Sequence, residues 1–178
     1  WLYDATGINL TIFYDSFDSS RFVSGFLTTL KLATSCVVLS VAVGIIGAWL
    51  QGSRLQFTRK IVYLYIQFFR NTPPLVQLYF FYFGVGHLIK GAGGEPIVTN
   101  IQWAIFALSL YAGAFNVEIF RSGIEAVPTA TIEAAESLGF SRLRAYVLIV
   151  LPLAFRISLP ALNNNLVNLV KTTSISYA

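Results

Sequence analysis

Residues 25–50 read GFLTTLKLATSCVVLSVAVGIIGAWL, an apolar run that decides which solvent this chain folds in. As a helix rising 1.5 Å per residue it reaches about 39 Å, more than the roughly 30 Å of a bilayer's hydrocarbon core. Ser40, Gly44 and Ala48 recur every four residues within it. That spacing lines small side chains along one face, which is how membrane helices approach closely. Three more apolar stretches follow: residues 61–89, interrupted by Arg70-Asn71-Thr72-Pro73-Pro74; residues 101–120; and residues 146–178, punctuated by Pro152, Arg156 and Pro160. The pattern predicts an all-α, polytopic transmembrane helical bundle over residues 25–178, with residues 1–24 as an external N-terminal arm.

Composition agrees. Of 178 residues, 56% are hydrophobic and 11% charged, where a soluble domain carries about a quarter charged residues. With a mean hydropathy of +0.68, too little polar surface is available to cover a water-soluble globule. The net charge of +4 reads as a signal of lipid headgroups and topology, not as a nucleic-acid footprint. The arm carries Arg21 alone; residues 51–60 carry Arg54, Arg59 and Lys60; residues 90–100 carry Lys90; residues 121–145 carry Arg121, Arg142 and Arg144. Because cytoplasmic loops are enriched in Lys and Arg, this alternation predicts the arm outside and the 51–60 and 121–145 segments in the cytoplasm. Gly91-Ala92-Gly93-Gly94 with Pro96 then forms an external turn-rich loop. The acidic arm does not resemble a cleavable signal peptide. A start at Trp1 with no methionine reads as the loss of an initiator region.

The 121–145 segment is the longest polar interruption. Pro128 suits a helix start, where its missing N–H goes unused. A short helix over residues 129–138 follows, and Gly139 suits the left-handed turn that ends it. Ser141 is placed to cap the next helix. The expected product is a helix–turn–helix projecting into the cytoplasm, whose small Ala134 and Ala135 let a partner backbone come close.

Glu133-Ala134-Ala135, then Gly139, Ile149 and Leu151-Pro152 at their present spacing, resemble the EAA signature of ABC importer permeases, with every fixed position filled. The resemblance implies a type I importer fold and a coupling helix in which Glu133, Ala134, Ala135 and Gly139 dock on an ATP-binding subunit. Phe69-Arg70-Asn71-Thr72-Pro73-Pro74-Leu75-Val76-Gln77, Glu118-Ile119-Phe120-Arg121-Ser122-Gly123-Ile124 and Asn168-Leu169-Val170-Lys171-Thr172-Thr173-Ser174 are similar to segments of the polar amino acid uptake permeases. Asn71 and Ser122 stand where that family commonly has Gly. Its members continue past the last motif, which implies one final span missing from these 178 residues. The resemblance further implies a bacterial inner-membrane location, a second permease chain, an external solute-binding protein, and ATP and Mg held by the partner ATPase with no cofactor in this chain.

Ionisable groups within a bilayer face a cavity or a partner. Arg70 lies about 14 Å into its helix from Ile61. Pro73 and Pro74 free backbone carbonyls nearby, to line a pathway; the alternative is a kink with Arg70 snorkelling to headgroups. Asn71 adjoins it. Glu118 and Arg121, three apart, suit a structural ion pair. Ser109, Ala112, Gly113 and Asn116 share a face that is either a helix contact or part of the pathway. Asn164, Asn168 and Lys171 form a stripe two turns long, expected to point inward toward a zwitterionic or anionic solute or to bond between helices.

A single His87, a single Cys36 and the absence of G-x-S-x-G or Walker A patterns argue against an intramembrane enzyme or an intrinsic ATPase. Cys36 reads as a small buried residue. A passive channel or structural subunit has no need of an EAA loop.

Overall fold

The computed structural model describes residue 13 and residues 15–89 and 94–177. Calls that fall on the remaining positions, including most of the arm and Lys90, lie outside the described residues. The first helix, α1 (Ser16–Gln51), starts upstream of the apolar run, capped by the Asp15 carboxylate, which accepts from Phe17 N. The second apolar stretch is two half-helices, α2 (Gln56–Asn71) and α3 (Pro74–Tyr79). The latter widens into a π-helical turn at Phe80–Val85 and closes with α4 (Gly86–Leu88). Then come α5 (Asn100–Glu125), α6 (Thr129–Ser137) and α7 (Arg142–Ala145), the last joined by a π turn at Tyr146–Val150 to α8 (Leu151–Thr172). A 3-10 turn at Thr173–Tyr177 follows. Pro152 lies just after the second π turn; widening the backbone there relieves the clash between a proline ring and the carbonyl four residues back.

Among the described residues three helices are long and apolar enough to cross a membrane: Ser16–Gln51, Asn100–Glu125 and Arg142–Thr172. Among the described elements α5 is central, packing against α1, α2, α3 and α8. Its N-terminus carries a capping box, in which Thr99 Oγ1 accepts from Gln102 N and the Gln102 side chain accepts from Thr99 N. Small residues let the helices close. Gly44 sits against Asn116 and Phe120, Gly47 against Val117, and Gly113 against Val43 and the Tyr65 hydroxyl. The stripe expected on α1 is thus the α1–α5 contact, with Ser40 and Gly44 buried. Cys36 is fully buried beside Leu32, Leu108 and Leu169. On the other side of α5, Phe81 stacks on Trp103 and meets Phe106 edge-on, fixing the π turn after α3.

Candidate functional site

Arg70, at the end of α2, reaches across to α5. Its guanidinium lies 3.8 Å from Glu118 and 5.2 Å from the centre of the Phe115 ring. Glu118 is also 4.0 Å from Arg121, which pairs with Glu125 at 2.8 Å. Three alternating charges therefore run along one face of α5 and Arg70 of α2 joins them at Glu118, the Arg70 and Glu118 side chains being 40% and 36% exposed. An ion pair of this exposure is costly against lipid tails and suits a cavity, a protein neighbour or the headgroup level. The pairing of Glu118 with Arg121 was legible from spacing; the closure by Arg70 from another helix was not.

The break beside Arg70 is partly closed by side chains. Pro73 and Pro74 carry no N–H, so Phe69 and Arg70 lose their helical donors. Gln77, only 2% exposed, turns its Nε2 onto Phe69 O and Thr72 O, both at 2.8 Å. Thr72 Oγ1 donates to Phe68 O at 2.8 Å. Of the two carbonyls the prolines free, Phe69 O is thus served by a side chain of the same motif, whereas Arg70 O receives no such bond. Asn71 is exposed and donates to Gln67 Oε1 at 3.0 Å.

The polar residues of α8 divide. Asn164, Asn168 and Lys171 are exposed, facing away from the packed helices. Asn165 turns inward instead, its Nδ2 donating to Asn116 Oδ1 at 2.7 Å and to Ala112 O at 3.1 Å. Asn116 is fully buried, so the face it shares with Ser109, Ala112 and Gly113 is a helix contact. Asn165 lies in register with buried Ser158, Leu162 and Leu169, a period that marks the packed side of α8. Ser158 Oγ donates to Ala154 O and Ile119 O where Gly123 lets α5 approach.

The 126–141 loop closes on its own backbone. Pro128 caps α6 from an extended conformation. At the far end Gly139 has φ +85°, its N–H donates to Glu136 O, and Phe140 N donates to Ala135 O at 3.1 Å. These are the two bonds of a Schellman turn. Ser141 Oγ then accepts from Arg144 N, starting α7. Glu133, Ala134 and Gly139 are exposed, whereas Ala135 is buried in the chain's own fold. It lies one turn from Ile132, which packs with Val127, Val150 and Ala154. The loop helix is thus anchored by one face and offers the other.

Residues 40–177 match the family of binding-protein-dependent transport system inner membrane components. The chain belongs to that family. It is 35% identical over 164 residues to the histidine/lysine/arginine/ornithine transport system permease protein HisM of Salmonella typhimurium, covering 90% of this chain and 69% of that one. It is 35% identical over 157 residues to the octopine transport system permease protein OccM of Rhizobium radiobacter, covering 84% and 64%. The chain thus spans about two thirds of the length of these relatives. The crystal structure of an amino acid ABC transporter with histidines superposes with a TM-score of 0.79 at 29% identity, covering 96% of this chain and 77% of that one. The multi-pass membrane architecture, with the apolar helices expected from the sequence, is that of the family.

Proposed function

We propose that this chain is the membrane-spanning permease subunit of an ATP-driven importer of polar amino acids, glutamate, aspartate and glutamine-like solutes among them. The observation that carries the reading is the backbone-closed helix at Thr129–Ser137, which presents Glu133 and Ala134 outward between two spans. ATP and Mg belong to partner ATP-binding subunits, and hydrolysis reaches this chain through that helix. A second permease chain completes the pathway, an external solute-binding protein delivers the solute, and the setting is a bacterial inner membrane with the N-terminal arm outside. Arg70 and Glu118, half-exposed and paired, are the pathway residues best placed to meet a carboxylate and an ammonium as their own pair opens. Asn71, Asn164, Asn168 and Lys171, all exposed to a neighbour or to the pathway, extend the polar lining. The names of the relatives, with their histidine, lysine, arginine and ornithine, support amino acids as the solute class.

The test is the full-length chain reconstituted in vesicles with its ATPase, solute-binding protein and any second permease chain. ATPase activity stimulated by glutamate, glutamine, arginine or histidine is expected, and Glu133→Arg should abolish both the stimulation and co-purification of the ATPase. Solute flux that persists without ATP or any ATPase subunit would replace this reading with a passive channel.

A further inference from the structure

The helix break next to Arg70 contains a device that the transport reading does not itself require. Gln77 is the largest buried polar side chain of the described membrane region, 2% exposed. It is not a neutral filler. Its amide nitrogen bridges two carbonyls that belong to different sides of the break, Phe69 O in α2 and Thr72 O in the connection to α3. With Gln77 N donating to Pro73 O at 3.2 Å, the residue ties its own backbone to the same turn. The orientation of the amide is fixed by these partners, because exchanging N and O would set the oxygen against two acceptors. The amide oxygen consequently points the other way and has no donor among the described residues.

What the clamp spans is informative. Arg70 and Asn71 lie between its two anchor carbonyls. Arg70 O, which loses its donor to Pro74, receives none of the clamp's bonds. Arg70 sits in the last turn of α2 between these two anchors, and its side chain leaves that turn toward Glu118 and Phe115. We infer that Gln77 is a positioning residue for the transported solute, acting through Arg70 by fixing the geometry of the broken helix. The inference rests on the proposed transport function and places Gln77 outside direct solute contact.

The experiment uses the full-length permease in its reconstituted complex, with whichever of glutamate, glutamine, arginine and histidine stimulates the wild type as probe. Gln77→Met keeps the side chain's length and removes both donated bonds. Gln77→Glu keeps the shape and has at most one proton to donate. The expected result is a half-saturating probe concentration about tenfold higher in Gln77→Met, equivalent to about 1.4 kcal/mol, and about threefold higher in Gln77→Glu. Solute-free ATPase activity, maximal rate and co-purification should stay within about twofold of wild type. A parallel fall in solute-free ATPase and thermal stability at unchanged half-saturation assigns Gln77 a merely structural role and overturns the inference, as does failure of both variants to assemble. A wild-type complex that no probe stimulates sinks the transport function and this inference together. A stimulated wild type with unaltered variants sinks this inference alone.

Discussion

The chain interrupts its helices at two proline-bearing sites and seals them in different ways. At Asn71 to Pro74 side chains close part of the break: Gln77 takes Phe69 O, freed by Pro73, together with Thr72 O, and Thr72 takes Phe68 O. At the 126–141 loop the end of α6 is sealed by main-chain N–H groups of Leu138, Gly139 and Phe140. The difference follows from solvent. A carbonyl at membrane depth has no water to fall back on, so the sequence must supply a donor of fixed length and direction. A helix end in water needs only a turn that satisfies its last carbonyls, and a positive-φ glycine provides one. The second solution leaves the side chains around it uncommitted. That is what a surface offered to a partner requires.

Substituting the glycine should produce the largest break in this contrast. Gly139 has φ +85° with open space where a Cβ would stand, so a substitution is opposed by backbone conformation and not by packing. Left-handed geometry costs an ordinary residue about 1–2 kcal/mol, and a β-branched one more. Gly139→Val should unravel the end of α6, speed tryptic cleavage at the exposed Arg142 and Arg144, and abolish ATPase co-purification. Gly139→Asn, which tolerates this region, should retain most of the association. Equal behaviour of the two variants would mean that the turn's backbone is not what holds the loop.

A matched pair of hydroxyl deletions sharpens the comparison at a smaller scale. Thr72→Val removes the bond to Phe68 O in the membrane, and Ser141→Ala removes the 3.4 Å cap on Arg144 N in the loop. The first leaves a carbonyl where water is scarce and should cost about 1 kcal/mol, a drop in Tm of about 2–4 °C for a chain of this size. The second exposes an N–H that water can serve and should cost about 0.5 kcal/mol, the low end for an N-cap. Thermal unfolding in nanodiscs reads both. A Ser141→Ala loss equal to or greater than that of Thr72→Val would contradict the solvent argument.

Much of the fold was legible because the membrane imposes length and polarity rules that one sequence obeys openly. Three of the four apolar runs marked helices long and apolar enough to cross a membrane, and the spacing of Ser40, Gly44 and Ala48 marked a helix contact that Asn116 and Phe120 complete. The loop was legible because Pro128, Gly139 and Ser141 have few backbone roles available to them. Harder to read were tertiary polar ties. Three consecutive asparagines, 163 to 165, look alike in sequence, yet only Asn165 falls on the period of Leu162 and Leu169, and only it bonds to Asn116. Asn164, Asn168 and Lys171 form a competing period on the exposed side of the same helix. Gln77 was hidden for another reason. It stood inside a quoted motif, but a long side chain folding back eight residues to Phe69 O leaves no spacing signal. The same holds for Tyr65, whose hydroxyl donates to Leu110 O on another helix at 2.6 Å.

The smallest expected effect isolates the loop's outward face from its internal closure. Arg142 Nε lies 3.2 Å from Glu136 Oε1, but the Arg142 side chain is 93% exposed. Such a pair is screened by water and salt and contributes little to stability, whatever its geometry. Glu136→Gln should therefore leave Tm and the tryptic pattern of the loop at wild-type values, since the Schellman bonds use Glu136 only through its backbone carbonyl. A fall in ATPase co-purification in that variant, with the fold intact, reports a charge read by the partner and extends the docking surface from Glu133 to the next turn of α6. Unchanged association confines the recognition to Glu133, Ala134 and the turn. A lowered Tm would show instead that the loop leans on side chains as the membrane break does, and the contrast between the two seals would fail.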